Sequence, residues 1–401
     1  MSPAQHGPDR PAVRLLQCTT FVSTLDRFAM PPMLLVIAVE LGAPLADVLR
    51  AAGAYFLAYG VMQPVWGAVS VRWGLVRTLR LTLLLAALST AAAAFVTTPL
   101  ALAVTRGLAG AFLGAAYPGS LVYLGETVPA RRRQREVVRL MVGVALGTAL
   151  GSAGAGLAAQ FGGWRAVFVS TGAACLVLAF VLARLPEPVR RTGSGAPLGA
   201  ARSVVGVLRS GPALLVLFLA FAEGAVLLGG LTVLPSAVQA TGAGAAATGA
   251  VTAGYGLGVL LCAPAVTRLS RRLPADRLIA VGAGAAVLAC AALAVSRAPV
   301  VAGGAVLLLA LAWTAMHSTV QTWATEVLPA ARAVLVPLFA GALFAGSAVA
   351  AALVAGVLPD GGPGPDVYGA VFLVCAGTAV PLGVVAAVGR ARWNGPDDRS
   401  Q

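Results

Sequence analysis

Five ionisable side chains lie deep inside long apolar stretches: Asp26, Arg27, Arg106, Glu223 and His317. A charge within hydrocarbon is costly, so each is a functional candidate by default. At about 1.5 Å per helical residue, Asp26 and Arg27 fall about 18 Å from the polar end of their stretch, and Glu223 about as deep in its own. The two carboxylates are thus expected to face each other at one level. Desolvation disfavours the charged carboxylate and a nearby cation favours it. A group balanced between the two can take up and release a proton, so Asp26 and Glu223 are the candidate proton sites. Alternatively, Asp26 is neutralised structurally by Arg27 or a neighbouring helix. Arg106 lies about 28 Å from the same polar end, some 10 Å beyond Asp26. Pairing with Asp26 is within reach of its side chain but strained; bonds to backbone carbonyls are its structural alternative.

Other residues share faces with these. Trp313, His317 and Gln321 recur every four residues, as do Arg106 and Gly110, with Tyr117 on the same face. These faces, with Arg27, are expected to line a central cavity. His317 titrates near neutrality if unperturbed, and a satisfied packing histidine is the alternative. Glu126 and Glu326 end their stretches at the polar side, with Arg72 and Arg131 near the first and Arg268 and Arg272 near the second. They read as ion pairs that close one side of the molecule, or as solvated helix ends worth about 0–1 kcal/mol each. Gly143, Gly147 and Gly151 form a small-residue stripe suited to close helix contact, and more sharply to a contact that seals a closed state.

The elements that must hold these residues follow from composition. The 401 residues are 59% hydrophobic and 10% charged, against about 25% charged in soluble domains. Such a chain cannot cover a soluble globule, and it is too apolar for disorder. Twelve apolar runs are long enough to cross a bilayer at about 20 residues each. They fall at 15–40, 48–70, 79–97, 99–125, 139–160, 165–184, 211–237, 247–267, 277–296, 299–325, 334–358 and 367–388. Barrel strands would be shorter and alternating. The expected fold is an all-α membrane protein of twelve helices in two six-helix bundles. Residues 1–14 form an N-terminal tail, 15–184 the first bundle, 185–210 a Pro/Gly/Arg-rich linker, 211–388 the second bundle and 389–401 a C-terminal tail.

All 28 basic residues are arginine, and the net charge is +14. With both termini on one side, 23 arginines fall on that side, and only Arg50, Arg165 and Arg297 on the other. The positive-inside rule then places both termini in the cytoplasm. Spread over seven segments, the arginines make no patch for nucleic acid, and no nucleic-acid partner is expected.

The halves align at an offset of 200 residues. Glu126-Thr-Val-Pro-Ala faces Glu326-Val-Leu-Pro-Ala; Tyr55, Pro64 and Arg72 face Tyr255, Pro264 and Arg272; Tyr117 faces His317. Two six-span halves of parallel topology are a rocker layout with its site between the halves near the midplane.

Several motifs then carry a resemblance. Gly67-Ala-Val-Ser-Val-Arg72-Trp-Gly74, with Arg77 beyond, resembles the G-x-L-A-D-R-x-G-R-R signature of the major facilitator superfamily, with Val71 where the signature has Asp. Arg106-Gly-Leu-Ala-Gly110 resembles its R-x-x-x-G signature. Gly143-x-x-x-Gly147-Thr148-Ala-Leu-Gly151-Ser152 is similar to its antiporter signature, with Thr148 for Pro and Ser152 for the last Gly. Gly163-Trp164-Arg165 and Leu185-Pro186-Glu187 fit the same superfamily. The resemblance covers about 14–390 and implies a secondary transporter in the drug:proton antiporter-like branch. Arg106 would be a cavity residue that helps proton coupling. The implied activity is proton-coupled efflux of a small, mostly apolar organic molecule, lipophilic or weakly cationic. Uptake or facilitated transport on the same fold is the alternative.

An intramembrane zinc enzyme would need a ligand set such as HExxH, but the histidines are His6 and His317 alone. No catalytic residue, metal or cofactor is expected. The five cysteines sit in apolar runs without CxxC spacing and read as buried hydrophobes. The expected partners are a small-molecule substrate, protons and the lipid bilayer. A monomer in the plasma membrane is expected.

Overall fold

The computed structural model describes residues 10–188, 204–359 and 365–393. Among the described residues, twelve helices are long and apolar enough to cross a membrane. They are α1 (Ala12–Glu40), α2 (Leu45–Trp73), α3 (Leu75–Ala93), α4 (Pro99–Thr127), α5 (Arg131–Gln160), α6 (Trp164–Arg184), α7 (Gly211–Gln239), α8 (Ala245–Leu269), α9 (Ala275–Val295), α10 (Pro299–Glu326), α11 (Arg332–Val357) and α12 (Asp366–Arg392). The fold is all-helical, as expected. Boundaries shift where helix and apolar run differ. The fifth helix starts at Arg131, not near 139, because arginine is a good helix former and carries the helix beyond its apolar part. Residues 189–203 of the expected linker, its Arg190, Arg191 and Arg202, and most of both tails lie outside the described residues. The linker's far end is ordered, with Val207 buried against Ala213, Ala331 and Leu335.

Small residues let these helices touch backbone to backbone. A Cβ on Gly147 of α5 would stand 2.5 Å from the Phe21 carbonyl oxygen of α1. In the second half, Gly346 of α11 meets the Phe221 carbonyl of α7 in the same way. Phe21 and Phe221 are the residues matched by the 200-residue offset, so the repeat is visible at single contacts.

Prolines and breaks set the helices' shape. Pro31 and Pro32 sit inside α1. A proline cannot donate to the carbonyl four residues back, which for Pro32 is that of Phe28. Ser152 Oγ of α5 donates to that freed oxygen at 3.2 Å. The fourth helix is interrupted at Gly114–Ala115. Two others carry a wide π turn, α7 at Gly224–Gly229 and α10 at Trp313–His317.

The halves meet along α2–α11 and α5–α8. Near the arginine-poor face, where the 41–44, 161–163 and 240–244 connections lie, Gln239 Nε2 donates to the Pro32 carbonyl at 2.9 Å. The Ala246 amide donates to Gln160 Oε1 at 3.3 Å, and Gly156 and Gly249 lie Cα against Cα. Contact continues to mid-depth at Gly60 with Gly341 and Phe344, and at Gly256 with Ala145 and Thr148. Further on, Gly67 faces open space. No ion pair joins the halves at the arginine-rich face among the described residues.

Candidate functional site

The first and fourth helices of the N-terminal half hold a buried ion pair. Arg106 Nη2 donates to Asp26 Oδ2 at 2.7 Å and Nη1 to Oδ1 at 3.1 Å. Nη2 also approaches the Asp26 carbonyl at 3.4 Å. Both residues are 0% exposed. The guanidinium lies between the Tyr55 and Phe168 rings, 4.7 and 4.6 Å from their centroids. The depth gap counted from residue numbers is thus bridged by a two-pronged pair, the strongest arrangement open to arginine and a carboxylate. Asp26 is neutralised by Arg106, not Arg27.

The other carboxylate finds its base in its own half. Glu223 Oε2 lies 3.3 Å from His317 Nδ1, again between the first and fourth helices of a half. Asp26 and Glu223 are therefore not matched with each other, as residue depth had led us to expect. Glu223 is 1% and His317 6% exposed. Neither Glu223 oxygen nor His317 Nδ1 makes a well-formed hydrogen bond. Glu223 directly precedes the π turn of α7, and His317 closes that of α10. Such turns recur at functional sites because they rotate side chains out of α-helical register. Trp313 stacks on His317 at 3.8 Å between centroids, and Phe339 lies 5.8 Å away.

Arg27 follows Asp26 but meets a different environment. Its guanidinium lies 5.1 Å from the Phe28 ring, 5.2 Å from Tyr59 and 5.4 Å from Phe344. Tyr59 and Phe344 meet edge-on at 4.7 Å across the two halves. The ring of Tyr255 of α8 lies 6.2 Å from that of Phe28. Arg27 pairs with no carboxylate among the described residues, and its buried Nε has no partner. Ring contacts are worth about 0.5–2 kcal/mol each, whereas an arginine at the bilayer centre costs about 2.5–3.5 kcal/mol or more. The rings can soften that cost, but they carry no net charge and leave the cation uncompensated.

The remaining candidates sort as follows. Tyr117 is half-buried, its hydroxyl 3.8 Å from Met141 Sδ. Gln321 is exposed, one helical turn past His317. The expected gate pairs are not formed. Glu326 accepts from Arg390 Nη2 at 3.0 Å, within its own half, instead of from Arg268 or Arg272. Glu126 forms no ion pair with Arg72 or Arg131 among the described residues; Arg133 donates to the Gly125 carbonyl beside it at 2.7 Å. Gly143, Gly147 and Gly151 pack α5 onto α1 inside the first half. The contact between halves uses another side of α5, with Ala145, Thr148, Ser152 and Gly156. The stripe is thus internal packing, and the sealing surface is its neighbour.

Residue reasoning passed over Tyr59, Phe168 and Phe344, which are ordinary aromatics in apolar runs. Tyr55 and Tyr255 had a signal, since they match at the 200-residue offset. Val71 also gains a context. The carboxylate missing there has a counterpart in Glu187, which accepts from the Val76 and Arg77 amides at 3.1 and 2.8 Å and caps the start of α3. Gly74, at φ 107°, lets the chain turn there; a Cβ would meet Glu187 Oε1 at 2.7 Å. No group of three His, Cys, Asp or Glu side chains suited to a metal occurs among the described residues.

Two six-helix halves, with an ionisable cluster at mid-depth between and within them, are the architecture of an alternating-access carrier. The family model of the Major Facilitator Superfamily matches residues 16–351, and the chain belongs to that superfamily. No curated protein matches the sequence. Solved structures share the fold at low identity. A single-site mutant of the nucleoside transporter NupG superposes with a TM-score of 0.79 at 14% identity, covering 94% of this chain and 99% of that one. A bacterial homolog of the human lysosomal transporter Spinster, inward-facing and unoccupied, gives 0.74 at 16%, covering 98% and 100%. The peptide transporter POT, in complex with sulfate, gives 0.76 at 16%, covering 97% and 95%. The protein is a multi-pass membrane transporter of small molecules, in a family of proteins that are generally not enzymes.

Proposed function

We propose that this transporter is driven by protons, and that the Glu223–His317 pair is where the coupling proton binds. The supporting observation is a buried carboxylate, without a hydrogen bond, 3.3 Å from an imidazole and framed by two π turns. Asp26, locked to Arg106 away from solvent, holds the N-terminal half together and positions the first helix. The termini lie in the cytoplasm of a plasma-membrane monomer, so the arginine-rich face is the inner one. Glu126 and Glu326 engage the nearby arginines when that face closes. The likeness of the α5 sequence to an antiporter signature supports export of a small, mostly apolar organic molecule in exchange for protons. Uptake together with a proton is the second reading, favoured by the uncompensated Arg27. Everted membrane vesicles separate the two: with the lumen made acidic, protons leaving it drive an exporter's cargo into the vesicle, whereas a co-transporter's cargo leaves with the proton. Proton coupling itself fails if Glu223→Gln and His317→Gln proteins still move substrate in response to a pH gradient.

A further inference from the structure

We infer that the cavity takes a small organic monoanion with an apolar or aromatic body, its acidic group at Arg27, and that one proton enters with it. The inference rests on proton coupling at Glu223 and carries the second reading of direction over the first.

A charge inventory of the midplane leads there. Asp26 and Arg106 cancel within a sealed pair at 2.7 Å. That leaves Arg27, positive and without a carboxylate, and Glu223, negative beside a histidine. Arg27 and Glu223 together sum to zero in the empty site. An anion alone would leave it at −1, and a proton alone at +1. The two together return it to zero. Moving net charge through a lipid-shielded passage is unfavourable, so the empty and doubly loaded forms reorient and the singly loaded forms do not. Anion and proton also strengthen each other's binding, because protonation removes the uncancelled negative charge of the midplane. A cationic cargo would meet Arg27 with like charge.

The surroundings fit the rest of such a molecule. Phe28, Tyr59 and Phe344 stand around the guanidinium, contributed by both halves. An apolar body lying on these rings would leave its acidic group free to reach Arg27, whose Nε lacks a partner. The titratable group against Glu223 is His317 on α10, at 3.3 Å. The eleventh helix meets α7 through Leu343 and Gly346, which do not titrate.

The test uses the full chain, purified and reconstituted in proteoliposomes. The probes are 2-naphthalenesulfonate and 2-naphthoate, with 2-naphthamide as the neutral and 2-naphthylmethylammonium as the cationic counterpart. The sulfonate remains ionised throughout, so a proton that accompanies it is carried by the protein. Binding is read as ligand-induced thermal stabilisation, and co-transport as lumenal acidification during uptake. The anions should bind and the other two should not. Binding of the sulfonate should tighten as pH falls, because a proton enters with it. Arg27→Gln should weaken it roughly tenfold to hundredfold, the range lost with a charged hydrogen bond, and Arg27→Lys should retain part of it. Binding by none of the probes, equal binding of amide or ammonium, or unchanged anion affinity in Arg27→Gln would each overturn the anion site. Anion binding without acidification would keep the site but overturn the accompanying proton. Proton-driven movement of the neutral amide by the unsubstituted protein would overturn the site while leaving proton coupling intact.

Discussion

Asp26→Asn should destabilise the protein, whereas Glu223→Gln should not, although both remove a midplane carboxylate. The difference comes from what each carboxylate holds. Asp26 accepts two hydrogen bonds from Arg106, and both residues are 0% exposed. Removing one partner of a buried pair strands the other charge and costs about 3–5 kcal/mol. Arg106 Nε already lacks a partner, so the stranded guanidinium has little local compensation beyond two aromatic faces. Glu223 makes no hydrogen bond that substitution would break. Replacing it with an amide removes a buried charge and should leave stability within about 1 kcal/mol of the parent. The assay is thermal and denaturant unfolding of the detergent-solubilised protein, with Arg106→Met and the Asp26→Leu/Arg106→Met double variant completing a cycle. The double variant should recover much of the loss, since an apolar replacement of a buried pair is often neutral. Asp26→Asn with parental stability, or a cycle without coupling between the two sites, would refute the locked-pair reasoning. Asp26 would then return as a candidate proton carrier.

Other perturbations test the frame around the site. Ser152→Ala should cost about 1–3 kcal/mol, because it orphans the Phe28 carbonyl that Pro32 frees; unfolding measurements check it. Gly147→Val and Gly346→Val should each block a close helix crossing and lower the yield of folded protein in fluorescence-detected size exclusion, in parallel because the contacts are equivalent. Gly249→Leu should instead fold but hold the halves apart at the arginine-poor face, raising labelling of a cysteine placed at position 156 and stopping transport. Glu187→Gln should leave the α3 amides without an anionic cap and weaken that helix start by about 0.5–1 kcal/mol, seen as faster hydrogen exchange at residues 75–78.

Much of the framework was legible because it depends on one-dimensional quantities. Run length, apolarity and the even spread of small residues specify twelve crossing helices, since a chain in lipid must satisfy its backbone internally. The 200-residue offset is likewise a property of order along the chain, and it reappears in equivalent contacts such as Gly147 on Phe21 and Gly346 on Phe221. The ionisable residues at mid-depth were legible too, because there are so few of them.

Their partners were not, and Asp26 and Arg27 show why. Neighbours on an α-helix point about 100° apart. One turns into its own half and meets Arg106, while the other meets aromatic rings from both halves. Depth along a helix follows from counting residues, but rotation about its axis is set by the helices packed around it and shifted further by the π turns of α7 and α10. The same limit explains the gate pairs that did not form and the glycine stripe that faces inward. Sequence alone determined which charges enter the membrane and at what level; only the packed bundle decided that Asp26 is cancelled, Arg27 is left over and Glu223 meets a histidine, because partnership depends on azimuth, which no residue spacing records.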